Sequence, residues 1–325
     1  MEAEKMYCGI DISAATLDVC LQLSDGTFEH FSVANSRLGF KQLLKHCGMA
    51  THFVMESTGA FHLPLCFYLE DKKCCYSVEN ALKIKRYIQM QLENNKSDKK
   101  DARYICQYGI ERKPALYQMP CHQYFECKTL NNAIETITQE ITSFSNKIYA
   151  QKQLDIDNKV VIKTYQSIIK TLKVELKKLE LDLASKLQAW QPALVKQVSS
   201  IKGIGKRATA ILIVFTQGFK HTETYQQLIS YAGLSPKEYT SGKSIRGRVK
   251  ISKVGGKQLR HTLYMCALNA KATNAGCKQL YDRLVAKGKN KKLALIAVCN
   301  KLLKQVFGVV KNGTLYQDDF QKKIA

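Results

Sequence analysis

One segment restricts the fold more than any other. Leu130, Ile134, Ile137, Ile141, Phe144 and Ile148 advance by four, three, four, three and four residues. After the polar stretch 151–159, Ile169, Leu172, Leu176, Leu179, Leu183 and Leu187 repeat nearly the same spacing. Apolar residues about 3.5 positions apart form one stripe on a helix, and two such stripes in tandem predict two long helices closing on each other as a hairpin or coiled coil. Dimerisation is the usual use of such a seam; the alternative is a pair of ordinary amphipathic helices packed on a neighbouring domain. Pro192 ends the segment, because its ring cannot continue a helix.

The residues before this segment read as α/β. "YCGIDIS", "TLDVCLQL" and "TFEHFSVA" are strand-like runs, the last two joined by a Ser24-Asp25-Gly26 turn. A helix from Ser36 to Gly48 follows, then a strand in "HFVMES", a helix in "FHLPLCFYLEDK" and a strand in "CCYSVE". Further helices are predicted over 81–90 and 98–110. Three strands, then strands alternating with helices, is the order of a ribonuclease-H-like fold. The residues after Pro192 read as mainly helical. "SSIKGIGKRATAILIVF" places a Gly203-Ile204-Gly205 turn at the opening of a helix, the pattern of a helix-hairpin-helix; its backbone N–H groups, with Lys206, can face a phosphate. A plain connection between two helices is the competing reading. The chain is expected to divide into an α/β catalytic domain over 1–127, a helical dimerisation segment over 128–192 and a mainly helical domain over 193–325.

Charge is unevenly distributed. The 325 residues carry a formal net charge of +23. Residues 1–70 nonetheless hold four basic and eight acidic side chains, whereas 241–304 hold sixteen basic residues and one acid, Asp282. Such a segment points to a polyanion, most often nucleic acid. Within it, "YTSGKSIRGRVKISK" contains the letters G-K-S, but a phosphate-binding loop needs a glycine where Lys237 stands, so a nucleotide loop is excluded. The twelve cysteines show no C-x-x-C spacing, and Cys121, His122 and Cys127 match no common zinc arrangement. The N-terminus lacks an apolar signal core and no membrane span is evident, so reduced thiols packed in a cytoplasmic protein are expected.

Four carboxylates are candidates for chemistry. Asp11 lies between Ile10 and Ile12 in the first strand, where burial is costly unless the charge is paired or metal-bound. Glu56 ends the apolar run Phe53-Val54-Met55, and Asp98 and Asp101 are three apart at a helix start. Hard oxygen ligands suit Mg²⁺ or Mn²⁺, and four of them suffice for two ions acting on a phosphodiester. Each acid also has a structural alternative: Asp98 and Glu56 as helix caps, Asp101 as a partner of Lys99 or Arg103.

"GIDIS", "VMESTGAF" and "KSDKKDARY" resemble the Asp–Glu–Asp–Asp signature of the insertion-sequence one-ten transposases, which include Piv-type DNA invertases and bridge-RNA-guided recombinases. "SSIKGIGKRATAIL", "LISYAGLSPKEYTSGKSIRG" and "ISKVGGKQLRHTLY" resemble the same family's C-terminal domain. Ser97 stands where threonine is common, and Ala81 where proline often follows the asparagine.

The resemblance implies a RuvC-like nuclease domain, a coiled coil, and a C-terminal transposase domain carrying a catalytic serine. It assigns Asp11, Glu56, Asp98 and Asp101 to the metal tetrad and Ser241 to the nucleophile. It also implies a covalent phosphoserine–DNA intermediate at a site assembled between protomers of a dimer that pairs into a tetramer. Double-stranded DNA and a guide (bridge) RNA are the implied partners, in a bacterial, nucleoid-associated protein. Lys243, Arg246, Arg248 and Lys250, extended by Lys253, Lys257 and Arg260, are expected to grip the nucleic-acid backbone. The competing readings are a RuvC-like resolvase or nuclease using metal-activated water, an invertase without guide RNA, and a non-catalytic DNA-binding protein.

Overall fold

The computed structural model describes residues 6–91, 98–154, 156, 158–237, 240, 241, 245, 246 and 250–318, without the side chains of 98, 240, 241, 245 and 246. The chain forms two compact units, Met1–Met119 and Pro120–Ala325.

In the first unit, β1 (Tyr7–Ile12), β2 (Thr16–Gln22) and β3 (Phe28–Ala34) form an antiparallel meander. They are followed by α1 (Arg37–Cys47), β4 (His52–Glu56), α2 (Leu63–Asp71), β5 (Tyr76–Glu79), α3 (Ala81–Met90) and α4 (Asp98–Arg112). The strands order as β3-β2-β1-β4-β5, with β4 parallel to both β1 and β5. This mixed five-stranded sheet is compatible with the ribonuclease-H-like arrangement. β4 is apolar on both faces because it is internal: Phe53 and Met55 pack with Ile10, Phe40, Leu43, Leu65 and Leu69, while Val54 packs with Tyr7, Ile105 and Cys106. Each fully buried side chain of this size contributes about 1.5–3 kcal/mol. Local signals set the boundaries. The Ser36 hydroxyl accepts from the Gly39 N–H at the start of α1, and the Asn80 side chain accepts from the Leu82 N–H at the start of α3.

Gly9 explains how α4 reaches the sheet. A Cβ there would lie 2.2 Å from the Cys106 amide nitrogen and 2.3 Å from the Ala102 carbonyl oxygen. Only a residue without a side chain lets α4 lie directly on β1.

In the second unit, α5 (His122–Gln151) and α6 (Lys159–Trp190) form the expected hairpin. Ile134, Leu183 and Leu187 are buried at its base, in the core shared with the helices that follow, whereas Ile141, Phe144, Ile148, Ile169 and Leu172 towards its tip are only half-buried. The hairpin and the C-terminal helices thus belong to one unit, and α5 starts six residues before position 128. Next come α7 (Pro192–Ser199), α8 (Lys206–Phe215) and α9 (Tyr225–Tyr231). Four two-residue strands follow: β6 (Pro236–Lys237), β7 (Thr240–Ser241), β8 (Ile245–Arg246) and β9 (Lys250–Ile251). The unit closes with α10 (Lys257–Thr273), α11 (Ala275–Ala286) and α12 (Lys291–Asn312).

By length and composition α12 is apolar enough to cross a membrane, which the sequence reading did not register. Leu295, Val298, Leu302, Leu303, Val306 and Val309 are buried in the core of the unit, and this accounts for its hydropathy. No disulfide joins the twelve cysteines, ten of which are buried. Cys127 lies in the core and His122 pairs with Glu126, so neither joins Cys121 in a metal site.

Candidate functional site

The carboxylates of the first unit are organised by strand register. Asp11 is the Cα partner of Asp18 across β1–β2, and Glu56 is the partner of Glu79 across β4–β5. Ile10 pairs with Met55, so Asp11 and Glu56 fall one step further along the same two strands. Paired residues share a face, because side chains alternate along each strand. Asp18, Asp11, Glu56 and Glu79 therefore form a row across four adjacent strands, one carboxylate on each. The sequence reading found Asp11 and Glu56 and missed Asp18 and Glu79. The signal for both was present: Asp18 is flanked by Leu17 and Val19 as Asp11 is by isoleucines, and Glu79 ends its strand as Glu56 does.

The row faces α4. Gly9 lies beneath Ala102 and Cys106, and Val54 beneath Gly109. Two residues beyond each, Asp11 and Glu56 occupy the same face. α4 runs antiparallel to β1, since Gly109 meets Tyr7 while Ala102 meets Gly9. Position 98 lies one turn before Ala102 and so continues this track towards Asp11. Asp101 sits on the same first turn, about 100° round the helix from Ala102, and is half-buried like Asp11 and Glu56. The Asp98 side chain lies outside the described residues. Among the described side chains no group of three or more His, Cys, Asp or Glu is close enough to hold a metal. The donor set itself, carboxylate oxygens without sulfur or imidazole, suits a hard divalent cation.

Cations lie at both ends of the sheet. Lys83 donates to a Glu79 carboxylate oxygen at 3.0 Å, and this contact raises the lysine pKa. Glu79 is thereby compensated, with its side chain only 13% exposed. Arg103 stacks 5.3 Å from the Phe28 ring centroid. Burial, with Arg103 and Lys99 nearby, lowers the His30 pKa.

The second unit presents two basic features. At the helix-hairpin-helix turn, Gly203 has φ +99°, a left-handed conformation suited to glycine, and an added Cβ would strike Ala270 on α10. Ile201 and Ile204 anchor the turn in the core. Gly205 caps α8 without a side chain, Lys206 is exposed, and no acid stands in the first turn. No acid of α8 itself competes for the first-turn N–H groups, while Glu135 and Glu180 of the hairpin reach Arg207 in the same turn.

The other feature is the ribbon between α9 and α10. Pro236 pairs with Ile251 and Lys237 with Lys250; further out, Thr240 pairs with Arg246 and Ser241 with Ile245. Ser241 is thus placed at the end of β7, beside the three-residue connection to β8. Gly242, Lys243 and Arg248 lie outside the described residues. Lys250, Lys253 and Lys257 are exposed around the ribbon base. Arg260 differs from them: its guanidinium donates to the Ala232 carbonyl at 3.2 Å and reaches the Lys253 carbonyl at 3.5 Å. It ties the base of the ribbon to the end of α9.

Comparison with known proteins assigns both units. Residues 8–155 match a family model described as a transposase, and residues 195–282 match one described as the transposase IS116/IS110/IS902 family. Pilin gene-inverting proteins of Moraxella lacunata and Moraxella bovis are each 28% identical, over 95% of this chain and 97% of their own length. An uncharacterized insertion element IS110 protein of Streptomyces coelicolor is 27% identical over 49% of this chain and 38% of its own. A carboxylate-bearing mixed sheet followed by a basic helical unit is here the framework of a DNA transposase or site-specific recombinase. More narrowly, the chain belongs to the IS110 family of transposases.

Proposed function

We propose that this transposase cuts and rejoins DNA through Ser241. The single observation that carries the reading is the placement of Ser241 at the end of a basic ribbon, in a chain whose first unit carries the family's acidic positions on one sheet face. The serine Oγ attacks a phosphodiester phosphorus, an Oγ–P bond forms, and the P–O3′ bond breaks. The serine proton is balanced by protonation of the departing 3′ oxygen. One ester replaces another, so a second strand can reverse the step without hydrolysis. Asp11, Glu56, Asp98 and Asp101 would hold divalent metal, Mg²⁺ or Mn²⁺, which would polarise the phosphate and offset charge on the leaving oxygen. Arg246, Lys250, Lys253 and Lys257, with Lys243 and Arg248, hold the strand; Gly203, Gly205 and Lys206 bind a neighbouring phosphate.

The protein acts as an oligomer, a dimer pairing into a tetramer. Val160, Val174 and Leu181 support this: they are exposed, fall at multiples of seven on α6, and lie off the hairpin seam. Guidance by a structured RNA is proposed on the sequence resemblance, with an unguided invertase as the second reading, favoured by the full-length similarity to the pilin gene-inverting proteins.

The test is to incubate the protein with DNA carrying the element ends and Mg²⁺, then resolve the products under denaturing conditions. A protein–DNA adduct that disappears in Ser241→Ala is expected. An adduct that survives this substitution overturns the nucleophile, and cleavage without any adduct supports water as the attacking group.

A further inference from the structure

Beyond the ribbon, α11 and α12 enclose a polar groove of about 460 Å³. Its walls carry Gln279, Leu280 and Arg283 from α11, and Asn300, Lys301 and Lys304 from α12. No carboxylate lines it. The one acid of α11, Asp282, is engaged by Lys278 at 2.8 Å, and α12 has none. Lys287 and Lys289 in the connection between the two helices, and Lys291 and Lys292 at the start of α12, are all exposed. Three cations along one groove repel each other, and no acid in the lining offsets them. Such an arrangement is stabilised when an anion enters.

One detail narrows the ligand. No aromatic ring lines the groove, which removes the stacking surface a free nucleobase needs. Lys304 is itself held, with its ammonium 4.6 Å from the Tyr225 ring centroid. Arg283, Asn300, Lys301 and Lys304 also lie beyond residue 282, where the match to the family's C-terminal model ends.

We infer that the α11–α12 groove is a second nucleic-acid site, one that binds a phosphodiester backbone through Arg283, Lys301 and Lys304, separate from the serine ribbon. The backbone comes from duplex DNA or from a structured RNA. The site does not depend on Ser241 being the nucleophile, because it is read from binding alone.

The experiment compares the full-length protein with a Lys301→Gln/Lys304→Gln variant. Binding of a fluorescein-labelled duplex DNA and, separately, of a labelled RNA hairpin is followed by anisotropy across a salt series. Lys304 is exposed and Lys301 only half-buried, so the variant should fold, and a circular dichroism melt verifies this. Loss of two phosphate contacts should weaken one of the probes by roughly tenfold and flatten its salt dependence by about 1.8 log units per log[salt] on duplex DNA, or about 1.4 on single strands. A change confined to DNA identifies the duplex, and one confined to RNA identifies the RNA; either supports the site. Unchanged affinity and slope for both overturns it. In the unmodified protein, Lys301 and Lys304 should also lose reactivity towards an amine-acylating reagent when the bound nucleic acid is present. Equal reactivity with and without nucleic acid counts against the groove even if the variant is unstable. Because no cleavage is measured, loss of the adduct in Ser241→Ala neither supports nor weakens this result.

Discussion

Glu56 and Glu79 are direct Cα partners on the parallel strands β4 and β5, so two carboxylates leave the sheet side by side on one face. Asp11 and Asp18 repeat the arrangement on the antiparallel pair β1–β2. Like charges placed directly opposite in a sheet cost stability, by roughly 0.2–1 kcal/mol per pair. Lys83 offsets the charge of Glu79.

Asp11→Asn tests the proposed metal site. Millimolar Mg²⁺ should stabilise the unmodified protein and leave the variant unaffected, since only a ligand that binds the folded state shifts the melt. Differential scanning fluorimetry with and without Mg²⁺ measures both responses. A variant that still responds to Mg²⁺ as fully as the parent would remove Asp11 from the metal site.

Gly9→Ala should be severe for so small a change. The new methyl would meet the backbone of Cys106 and Ala102, which no side-chain rotation can relieve. The cost should be about 3 kcal/mol, at the upper end for overpacked cores. Urea denaturation measures it. Lifting α4 from β1 also moves positions 98 and 101, so activity should fall below what the lost stability explains.

Arg260 separates charge from geometry. Its single Nη1 meets both the Ala232 and Lys253 carbonyls, and a lysine ammonium, on a side chain one bond shorter, would fall short of them. Arg260→Lys should then resemble Arg260→Gln, each losing about 1–2 kcal/mol and weakening DNA binding through a looser ribbon. If Arg260→Lys retained full stability and affinity, the residue would be a plain phosphate contact.

The exposed heptad positions of α6 give the test of assembly. Val174→Glu with Leu181→Glu should leave the melting temperature of the chain nearly unchanged, because both side chains are solvent-exposed. The same pair should shift the sedimentation coefficient towards the monomer. An unaltered sedimentation profile would place the oligomer contact elsewhere.

Although His30 is exposed, partial desolvation of its ring, and then Arg103 and Lys99, hold it below the ordinary histidine pKa. Below about pH 6.5 the unfolded chain takes up this proton more readily than the folded one. Its contribution to stability is therefore present above about pH 6.5 and is lost as pH falls through the folded pKa. His30→Gln should flatten that part of the stability profile, and ring NMR titration reads the pKa directly. A ring titrating at or above the free value contradicts the depressed pKa.

The one-dimensional signals determined a good deal of this protein. Strand alternation in "YCGIDIS" and "TLDVCLQL", the Ser36 and Asn80 caps, and the seam from Leu130 to Leu187 all act within a few residues of themselves. Each element they specify is present in the structure. The acids at 11 and 56 were legible because a charge inside an apolar strand is costly wherever the strand ends up. Register and crossing were not legible. Asp18 and Glu79 carried the same local signal, but only pairing set them beside Asp11 and Glu56, because register depends on how distant strands share a face. Arg260 likewise counted as one more cation until the fold brought the Ala232 and Lys253 carbonyls within its reach. The groove between α11 and α12 exists only once two helices, each unremarkable alone, pack with their cations on the same side. Local chemistry chose the elements; long-range packing decided which charges would meet.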